Sequence, residues 1–309
     1  MTQQYIRKAS LIVGNDKGEG LDLSRFRIRF ETRQWDTQTP NTCSIRVYNL
    51  SDETANQIQK EFTKVELKAG YEGNFGTIFV GTVKQFRRGR ESPVDTYLDL
   101  YLGDGDVAYN WGYVNISLAA GSTSKDVLLA VMRVLEQHGI TLGYVPEFPE
   151  TRMPRGRVFS GMCRDVLRTL ADTVGMTWSI QSGRLQFVPK QGYIPGDAVV
   201  LTANTGLIGM PEQTQDGIYA RCLLNPNLRV SGQVRINNSS VQQATPIMSY
   251  AGDAQNLQRP DISKDGFYRL LVVEHIGDTR GQDWYSKLVC VALDSTKGNP
   301  TSQAVRGRV

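Results

Sequence analysis

The sequence predicts a mainly β (α+β) chain in which two antiparallel β-rich regions flank a small α+β insert. Three observations predict this class. Apolar and polar residues alternate in most segments before residue 110 and after residue 205, which is the period of a half-buried strand. Two segments between residues 120 and 176 carry apolar residues at helical spacing instead. Glycine, asparagine, aspartate and proline punctuate the segments, as turns require.

In the first β-rich region, six segments have the alternation or the composition of strands: 11–13, 26–31, 43–50, 64–73, 76–86 and 95–104. A short helix is predicted between the third and fourth of them, with Ser51 as its N-cap. Ala55, Ile58 and Phe62 follow at helical intervals and form its buried side.

The insert contains two amphipathic helices. The first is predicted to begin at Ser122 or Ser124 and to end at Gly139. The second is predicted to begin at Ser160 and to end at Gly175, because serine is a favoured N-cap and glycine a favoured helix end. The insert therefore has its own apolar surface to bury.

A β-hairpin follows the second helix, with Ser182-Gly183 as its turn. Strand-like alternation then returns over 217–237, whereas the polar stretch 237–264 is expected to be a long exposed excursion. Residues 267–294 form a long hairpin that echoes residues 77–104, since both consist of a long strand, a polar Arg/Gly turn and a second long strand. The echo suggests a duplicated β domain.

These segments divide the chain into three domains, with limits at 1–114, 115–195 and 196–309. The length of 309 residues suits about two domains of roughly 150 residues with an insert.

The charge balance argues only weakly for a polyanionic partner, and the cysteines do not indicate a metal site; both are typical of an ordinary folded protein. Basic and acidic residues number 35 and 31, a net charge of +4, and a dedicated DNA-binding protein would concentrate more positive charge. The four cysteines are too widely spaced for a metal knuckle, which favours buried reduced thiols. Without a signal-peptide pattern or a long apolar run, we expect synthesis in a cytosol and no membrane insertion.

Catalytic chemistry has few candidates in this sequence. The only histidines are His138, at a predicted helix end, and His275, at a predicted strand end. The aspartates in "GDGD" and "GDTRGQD" lie where turns normally use aspartate and glycine. No phosphate-binding glycine motif is present. We therefore expect no enzyme activity, no metal and no cofactor.

Arginines are the candidate interaction residues. Arg25, Arg27 and Arg29 alternate with Phe26, Ile28 and Phe30 in "LSRFRIRF", so the aromatic row is expected to face a core and the arginines the opposite side. The full set of candidates is Arg25, Arg27, Arg29, Arg87, Arg88, Arg229 and Arg235. Solvated strand faces and turn tips explain such residues equally well, and a non-specific contact with a polyanion stays open.

Five segments carry a resemblance to a known family: 41–54 "NTCSIRVYNLSDET", 70–83 "GYEGNFGTIFVGTV", 100–106 "LYLGDGD", 206–236 "GLIGMPEQTQDGIYARCLLNPNLRVSGQVRI" and 273–290 "VEHIGDTRGQDWYSKLVC". In order, and over nearly the whole chain, they resemble the baseplate hub proteins of tailed bacteriophages. That family is related to the hub part of type VI secretion spike proteins and to the phage late-control D proteins.

The resemblance implies two tube-type antiparallel β-barrel domains in each chain and a structural role in the virion. Such a hub is a homotrimeric ring that adapts a six-fold tail tube to a three-fold spike and forms part of the channel for DNA ejection. Its partners would be the tail tube protein, the central spike protein, the other baseplate (wedge) proteins and the tape measure protein, with DNA only passing through the lumen. It would belong to the baseplate of a contractile tail, assembled in the bacterial host cytoplasm.

The resemblance also suggests where contacts lie. The insert and the 237–264 excursion are the candidates for contacts outside the ring. Arg25, Arg27 and Arg29 are expected to pair with acidic groups of the adjoining ring, because a basic lumen would slow the passage of DNA.

Two other functions stay open at this point. A tail-associated peptidoglycan hydrolase would need acid and base carboxylates in a cleft. A nucleic-acid-binding β-barrel module would need a salt-dependent affinity that falls when the arginines are replaced.

Overall fold

The computed structural model describes residues 6–15, 18–214, 216–243, 262–263 and 265–293. Most of the excursion expected over 237–264 lies outside these residues. Within them the chain is mainly β with few helices, so the fold class predicted from the alternation is confirmed. No helix in the described part is long and apolar enough to cross a membrane.

The described part of the first region contains the six expected strand segments and one additional short strand. The strands are β1 (Arg7–Gly14), β2 (Gly20–Asp22), β3 (Ile28–Trp35), β4 (Thr42–Tyr48), β5 (Lys64–Tyr71), β6 (Asn74–Arg90) and β7 (Thr96–Gly103). Helix α1 (Asp52–Glu61) lies between β4 and β5. The hydroxyl of Ser51 accepts a hydrogen bond from the backbone N–H of Thr54, so the predicted N-cap is confirmed.

Strand β3 begins later than the sequence predicts. The backbone N–H of Phe26 donates to the carbonyl of Leu23 and closes a turn, so the strand starts at Ile28. Phe26 still packs against the first core, but only in part. Arg25 therefore lies in a turn before the strand and does not share its alternation.

Strand β6 ends later than predicted. It continues past residue 86 to Arg90, because Arg90 still pairs with Thr96 of β7. Arg87 and Arg88 consequently lie within a long strand, where the sequence places a turn tip.

The insert contains two long helices and five short strands in its described residues, and a short helix precedes it. These elements are α2 (Asp106–Trp111), β8 (Tyr113–Leu118), α3 (Ser124–Gln137), β9 (Thr141–Leu142), β10 (Arg157–Met162), α4 (Cys163–Val174), β11 (Met176–Gln181) and β12 (Arg184–Pro189). Strands β8 and β10 form a two-stranded sheet, and β11, β12 and β9 form a three-stranded one. The predicted Ser182-Gly183 turn joins β11 to β12.

The predicted N-cap of α3 is wrong, and its predicted end is right. Thr123, rather than Ser122 or Ser124, is the N-cap, because Asp126 three residues later completes a capping box with it. The Asp126 carboxylate accepts the backbone N–H of Thr123 at 2.7 Å. The helix ends at the expected glycine, Gly139, whose φ of 78° follows the last turn.

The predicted N-cap of α4 is wrong as well. Ser160 belongs to β10, which stays paired with β8 as far as Met162, and Met162 is the N-cap residue. The hydroxyl of Ser160 lies 2.9 Å from that of Tyr113 instead. The predicted end is confirmed, since Gly175 caps the helix in the left-handed conformation.

The second region contains seven strands in its described residues. They are β13 (Val199–Leu201), β14 (Leu207–Thr214), β15 (Gly217–Leu223), β16 (Gln233–Ile236), β17 (Gln242–Gln243), β18 (Phe267–Asp278) and β19 (Trp284–Ala292). The long hairpin expected over 267–294 is formed by β18 and β19.

Both β-rich regions belong to one sheet. Among the described residues it has fourteen strands, in the order β17-β14-β15-β19-β18-β3-β4-β7-β6-β5-β1-β2, with β16 beside β18 and β13 beside β16. The antiparallel pairing of β18 with β3 joins the regions, from Val272 opposite Trp35 to Asp278 opposite Arg29. The domain limits at 114/115 and 195/196 stay predictions.

Five strands of each region have the same arrangement. In spatial order they run first, second, fifth, fourth, third along the chain: β3-β4-β7-β6-β5 in the first region and β14-β15-β19-β18-β16 in the second, with β17 left out. The hairpins β6–β7 and β18–β19 each contain a one-residue irregularity, at Lys84 and at Leu271. The echo between the two long hairpins thus corresponds to equivalent positions in the sheet.

Three main apolar cores lie behind this sheet and in the insert. The first packs β1 and β3–β7 against α1, and it includes Leu224 and Trp284 from the second region. The second lies between α3, α4 and the β11–β12 hairpin, and it includes Ala108 of α2. The third belongs to the second region.

A buried arginine holds all three parts of the chain together. Arg269 of β18 forms an ion pair with Asp36, which follows β3, and both side chains are buried. The same guanidinium donates to the carbonyls of Pro189 and Gly192 at 2.9 and 2.7 Å, at the end of the insert. One side chain of the second region therefore anchors the first region and the insert.

A buried carboxylate attaches the insert hairpin to the first region. Asp104, after β7, accepts the backbone N–H groups of Ser182 and Gly183 at 2.5 and 2.8 Å. Both turn residues have positive φ, 52° and 72°, as a type I′ turn requires. Burial raises the pKa of Asp104 to about 7, although these two hydrogen bonds and one from Asn41 favour its ionised form.

Replacing Arg269 with methionine is expected to lower the free energy of unfolding by about 3–5 kcal/mol, because Asp36 would remain buried without its partner. Urea denaturation of the purified chain measures this loss. Arg229→Met is the matched control: it removes an exposed arginine of the same region, and its effect is expected to stay within about 0.5 kcal/mol. Equal stability of the two variants would contradict the anchoring role of Arg269.

Asp104 is expected to make the chain less stable as the pH rises from about 4 to about 7. Its pKa is higher in the folded state than in the unfolded state, so the folded state retains a proton that the unfolded state releases. The loss is at most about 1.4 kcal/mol per pH unit. The measurement compares unfolding free energies of the wild type and Asp104→Asn across this range. If their difference did not change with pH, the raised pKa would be wrong.

Candidate assembly surface

Three of the seven candidate arginines, Arg27, Arg29 and Arg87, lie on the side of the sheet that points away from the three main cores, which we call the polar face. In β3, Ile28 and Phe30 point to the core, whereas Arg29, Glu31 and Arg33 point to the polar face. The neighbouring strands continue this alternation in register. The polar face comprises Arg27, Arg29, Glu31, Arg33, Ser44, Arg46, Gln85, Arg87, Tyr97, Asp99 and Tyr101 of the first region and Arg221, Glu274, Ile276, Asp278, Tyr285 and Lys287 of the second.

Arg46 is the best-coordinated cation of the polar face. Its Nε and one terminal nitrogen donate to the two carboxylate oxygens of Asp99 at 2.7 and 3.0 Å. Its guanidinium carbon lies 3.8 Å from the centre of the Tyr97 ring. The hydrogen bond to Asp99 raises the pKa of Arg46 above its usual value. The charge of Arg46 is thus matched within the chain.

Arg27 is matched in a similar way across the boundary between the regions. It donates two hydrogen bonds to Asp278 of β18, the shorter of them 2.7 Å, and its guanidinium lies over the Tyr48 ring. Burial opposes the ionisation of Asp278, but hydrogen bonds from Arg27 and from the backbone of Arg280 outweigh it and lower the pKa. The intrachain partner of Arg27 is therefore an acid 251 positions away.

A third charged group joins β3 to β18. Arg33 lies 3.0 Å from the Glu31 carboxylate and 3.4 Å from that of Glu274. Positive and negative charges thus alternate across this part of the polar face.

Arg221 occupies in β15 the position that Arg46 has in β4. Arg46 lies opposite Asp99 on β7, and Arg221 lies opposite Lys287 on β19. Arg221 also lies over a tyrosine ring, that of Tyr285, at 3.6 Å. The arginine–tyrosine contact therefore occurs at the same place in both regions, although Lys287 replaces the acid.

The seven predicted arginines do not form one cluster. Arg27, Arg29 and Arg87 lie on the polar face, and Arg25 lies in the turn before β3. Arg88 lies on the other side of β6, 3.9 Å from Asp52. In the second region, Arg229 is exposed in the loop before β16, and Arg235 lies in β16 beside Phe267.

Sequence reasoning missed the side chains that organise the polar face. Arg46 is in β4, whereas Asp99 and Tyr97 are in β7, and only the pairing of these two strands brings the three side chains together. Their alternation within β4 and β7 was the available signal, but alternation alone does not reveal cross-strand partners.

A cleft of about 1010 Å³ lies where the three parts of the chain meet. Its wall includes Glu66, Arg229 and His275. Glu66 accepts a hydrogen bond from Thr77 at 3.0 Å and lies 3.1 Å from Lys68. Among the described residues, no group of three or more His, Cys, Asp and Glu side chains is placed to hold a metal ion.

The buried histidine and the four buried cysteines stay neutral at physiological pH. Burial lowers the pKa of His275 to about 4, and its Nδ1 lies 2.8 Å from the Ser286 hydroxyl. All four cysteines are buried and free, as the sequence predicts. Burial raises the pKa of Cys163 to about 11 and that of Cys222 to about 12.

Comparison with known proteins relates the chain to tail proteins by fold. No family model and no curated protein sequence matches it. It is similar to the 43 kDa tail protein of prophage MuSo2 from Shewanella oneidensis, with a TM-score of 0.57, 9% identity and coverage of 93% of this chain and 97% of that one. It is also similar to a tail protein from Neisseria meningitidis MC58, with a TM-score of 0.57, 10% identity and coverage of 96% and 99%.

A third similar structure comes from a secretion system. The Escherichia coli protein c3393 is described as a type VI secretion component with structural similarity to the T4 bacteriophage tail proteins gp27 and gp5. Its TM-score is 0.53 at 12% identity, with coverage of 86% of this chain and 73% of that one. At these identities the likenesses establish a shared fold.

The Arg27–Asp278 pair is expected to contribute to stability, whereas Arg29 on the same strand side contributes little. Arg27→Ala leaves a nearly buried carboxylate without its two hydrogen bonds, which costs about 1–3 kcal/mol. Arg29→Ala removes an exposed side chain and should change the free energy of unfolding by less than about 0.5 kcal/mol. Thermal unfolding of both variants tests this. Equal effects would show that the ion pair does not stabilise the joint.

Proposed function

We propose that this chain is a structural hub of a phage tail baseplate: a homotrimeric ring that adapts a six-fold tail tube to a three-fold spike. The observation that carries the proposal is the repeated five-strand arrangement. Because each chain presents two such units side by side in one sheet, three chains present six similar units around an axis. A ring of this kind matches six-fold symmetry on one side and three-fold symmetry on the other.

The shared fold supports a role in the tail. Two of the similar structures are tail proteins, and each is matched over almost its whole length. The third belongs to a secretion apparatus whose component is itself described as similar to phage tail proteins. Fold alone does not determine function, and the repeated arrangement is therefore the stronger argument.

We assign the polar face to the wall of the channel through which the tape measure protein and then DNA pass. A wall that leads DNA through must be hydrated and must not retain phosphates. Arg27, Arg33 and Arg46 meet this requirement, because each is paired with a carboxylate of its own chain. This pairing replaces the contact with an adjoining ring that the sequence suggested for Arg27.

The other partners follow from the same role. The ring would bind the tail tube protein on one side and the central spike protein on the other, and the insert would face the wedge proteins. We assign the chain no enzymatic activity of its own. The ring would be assembled in the host cytoplasm and remain in the baseplate of the virion.

The proposal is tested by the mass and the shape of the purified full-length chain. Light scattering is expected to give the mass of three chains, and negative-stain images a three-fold annulus with an open centre. A stable monomer that binds neither tail tube protein nor spike protein would contradict the proposal. Release of peptidoglycan fragments by the purified chain would contradict the purely structural role.

A further inference from the structure

We propose that β6 of one chain pairs with β14 of a second copy of this chain, so that three chains close one continuous antiparallel sheet. The inference rests on the trimeric ring proposed above and names the strands that join its subunits. The inference comes from comparing β6 and β14, near the two ends of the sheet, with the β18–β3 pairing that joins the two regions within one chain.

The joint in the middle is the outer edge of β18. The first part of that edge, Phe267–Arg269, pairs with β16, and the N–H of Leu270 donates to the carbonyl of Gly232. After the irregularity at Leu271, the rest of the edge pairs with β3 from Val272 to Asp278. Strand β18 thus pairs first with a strand of its own region, β16, and then with a strand of the first region, β3.

Strand β6 is the equivalent of β18. Its outer edge pairs with β5 as that of β18 pairs with β16, but in the described residues no strand takes the place that β3 has beside β18. Its first part, 74–82, pairs with β5, and the N–H of Val83 donates to the carbonyl of Thr63 at 2.8 Å. The irregularity at Lys84 follows. In the described part of the chain, residues 85–90 of β6 pair with β7 on one side and with no strand on the other. Among the described residues, this edge has no partner at the positions where β18 pairs with β3.

Strand β14 is the equivalent of β3, and it lies near the opposite end of the sheet. Its outer edge is covered by β17, a parallel contact of two residues, Gln242 and Gln243, opposite Glu212 and Gln213. Two apolar side chains of β14, Ile208 and Met210, are 37% and 57% exposed. A strand at the end of a sheet that carries exposed apolar side chains is a site for strand addition.

In the described residues, β17 pairs in parallel with Glu212 and Gln213 of β14. An antiparallel strand of six residues from a neighbouring chain would compete with β17 for this edge. We infer that β17 shields the edge of β14 in the isolated chain and that β6 of the neighbour replaces it in the ring.

The register of the joint follows from the internal one. In β18–β3, Glu274 lies opposite Arg33 and His275 opposite Thr32. The strand pairings of the two regions make Arg87 and Arg88 of β6 equivalent to Glu274 and His275 of β18. They make Thr214 and Gln213 of β14 equivalent to Arg33 and Thr32 of β3. The proposed joint therefore places Arg87 opposite Thr214 and Arg88 opposite Gln213. By the same transfer, Gly89 lies opposite Glu212.

Charge favours this partner over the alternative. The open edge of β6 carries Arg87, Arg88 and Arg90, and β14 carries Glu212. If β6 paired with β3 of another chain, Arg87 would lie opposite Arg33, and like charges directly opposite destabilise a strand pair. The charges thus direct the second region of one chain to the first region of the next.

The test is a disulfide between subunits. Arg87→Cys with Thr214→Cys, in one full-length chain, is expected to give disulfide-linked dimers and trimers on a non-reducing gel after mild oxidation. Arg88→Cys with Thr214→Cys is the matched control, because a shift of one residue turns the two side chains to opposite faces. Hydrogen exchange of the unmodified chain is a second measurement, in which the amides of 85–90 are expected to gain protection on assembly.

The outcomes separate this inference from the proposed function. Cross-linking of the first pair and not of the control, with protection of 85–90, supports the joint. A trimer with neither cross-linking of the first pair nor added protection would overturn the joint and leave the ring proposal standing. Preferential cross-linking of the control pair would overturn the register. A chain that stays monomeric would overturn both the ring and the joint.

Discussion

The buried ion pair between Asp36 and Arg269 is the constraint on which the arrangement of the three parts of the chain depends. Burying two charges is costly, and Asp36 Oδ1 and Arg269 Nε have no hydrogen-bond partner in the described structure. The pair is therefore poorly explained as a source of net stability, since a well-packed apolar replacement would often serve as well. Its value is positional: the guanidinium reaches carbonyls of the insert and a carboxylate of the first region at once. A shift of any one of the three parts relative to the others would break at least one of these contacts.

That placement aligns β18 with β3. The backbone N–H of Asp36 donates to the carbonyl of Leu271 at 2.9 Å, which begins the pairing at the point where β18 leaves its own region. From there the two regions share a sheet, and their polar residues fall on one face. Asp104 acts in a similar way at the insert, because it holds both N–H groups of a turn whose residues have positive φ. Buried acids thus help to determine how the parts meet, and the first and second cores add to this because each includes residues of a neighbouring part.

The periodicity of apolar residues predicts strands and helices, which depend on local sequence. It does not predict ion pairs between residues that are far apart in the chain. Alternation predicts the six main strands of the first region, β15, β16, β18, β19 and the hairpin at Ser182-Gly183, and helical spacing predicts α1, α3 and α4. The strands β2, β8, β9, β10, β13, β14 and β17 were not predicted. The caps Ser122, Ser124 and Ser160 were wrong because a capping box and a paired strand decided between neighbouring polar residues. The partner of Arg27 lies 251 positions away, and that of Arg269 lies 233 positions away. No local pattern encodes such pairs, and the aspartates involved look like ordinary turn residues.

The ion pairs within the chain limit the number of arginines that are left to bind a partner. Arg27, Arg33 and Arg46 already have carboxylates within the chain, so the charges of these three arginines are matched there. Arg87, Arg88 and Arg90 lie on the part of β6 that extends beyond β5, although Arg88 also lies 3.9 Å from Asp52. Their position at an open edge, rather than their number, makes them candidates for an interface. Since β14 carries Glu212 at its own outer edge, the two ends of one chain are complementary in both backbone and charge, and a closed ring is the arrangement that satisfies both ends of every copy.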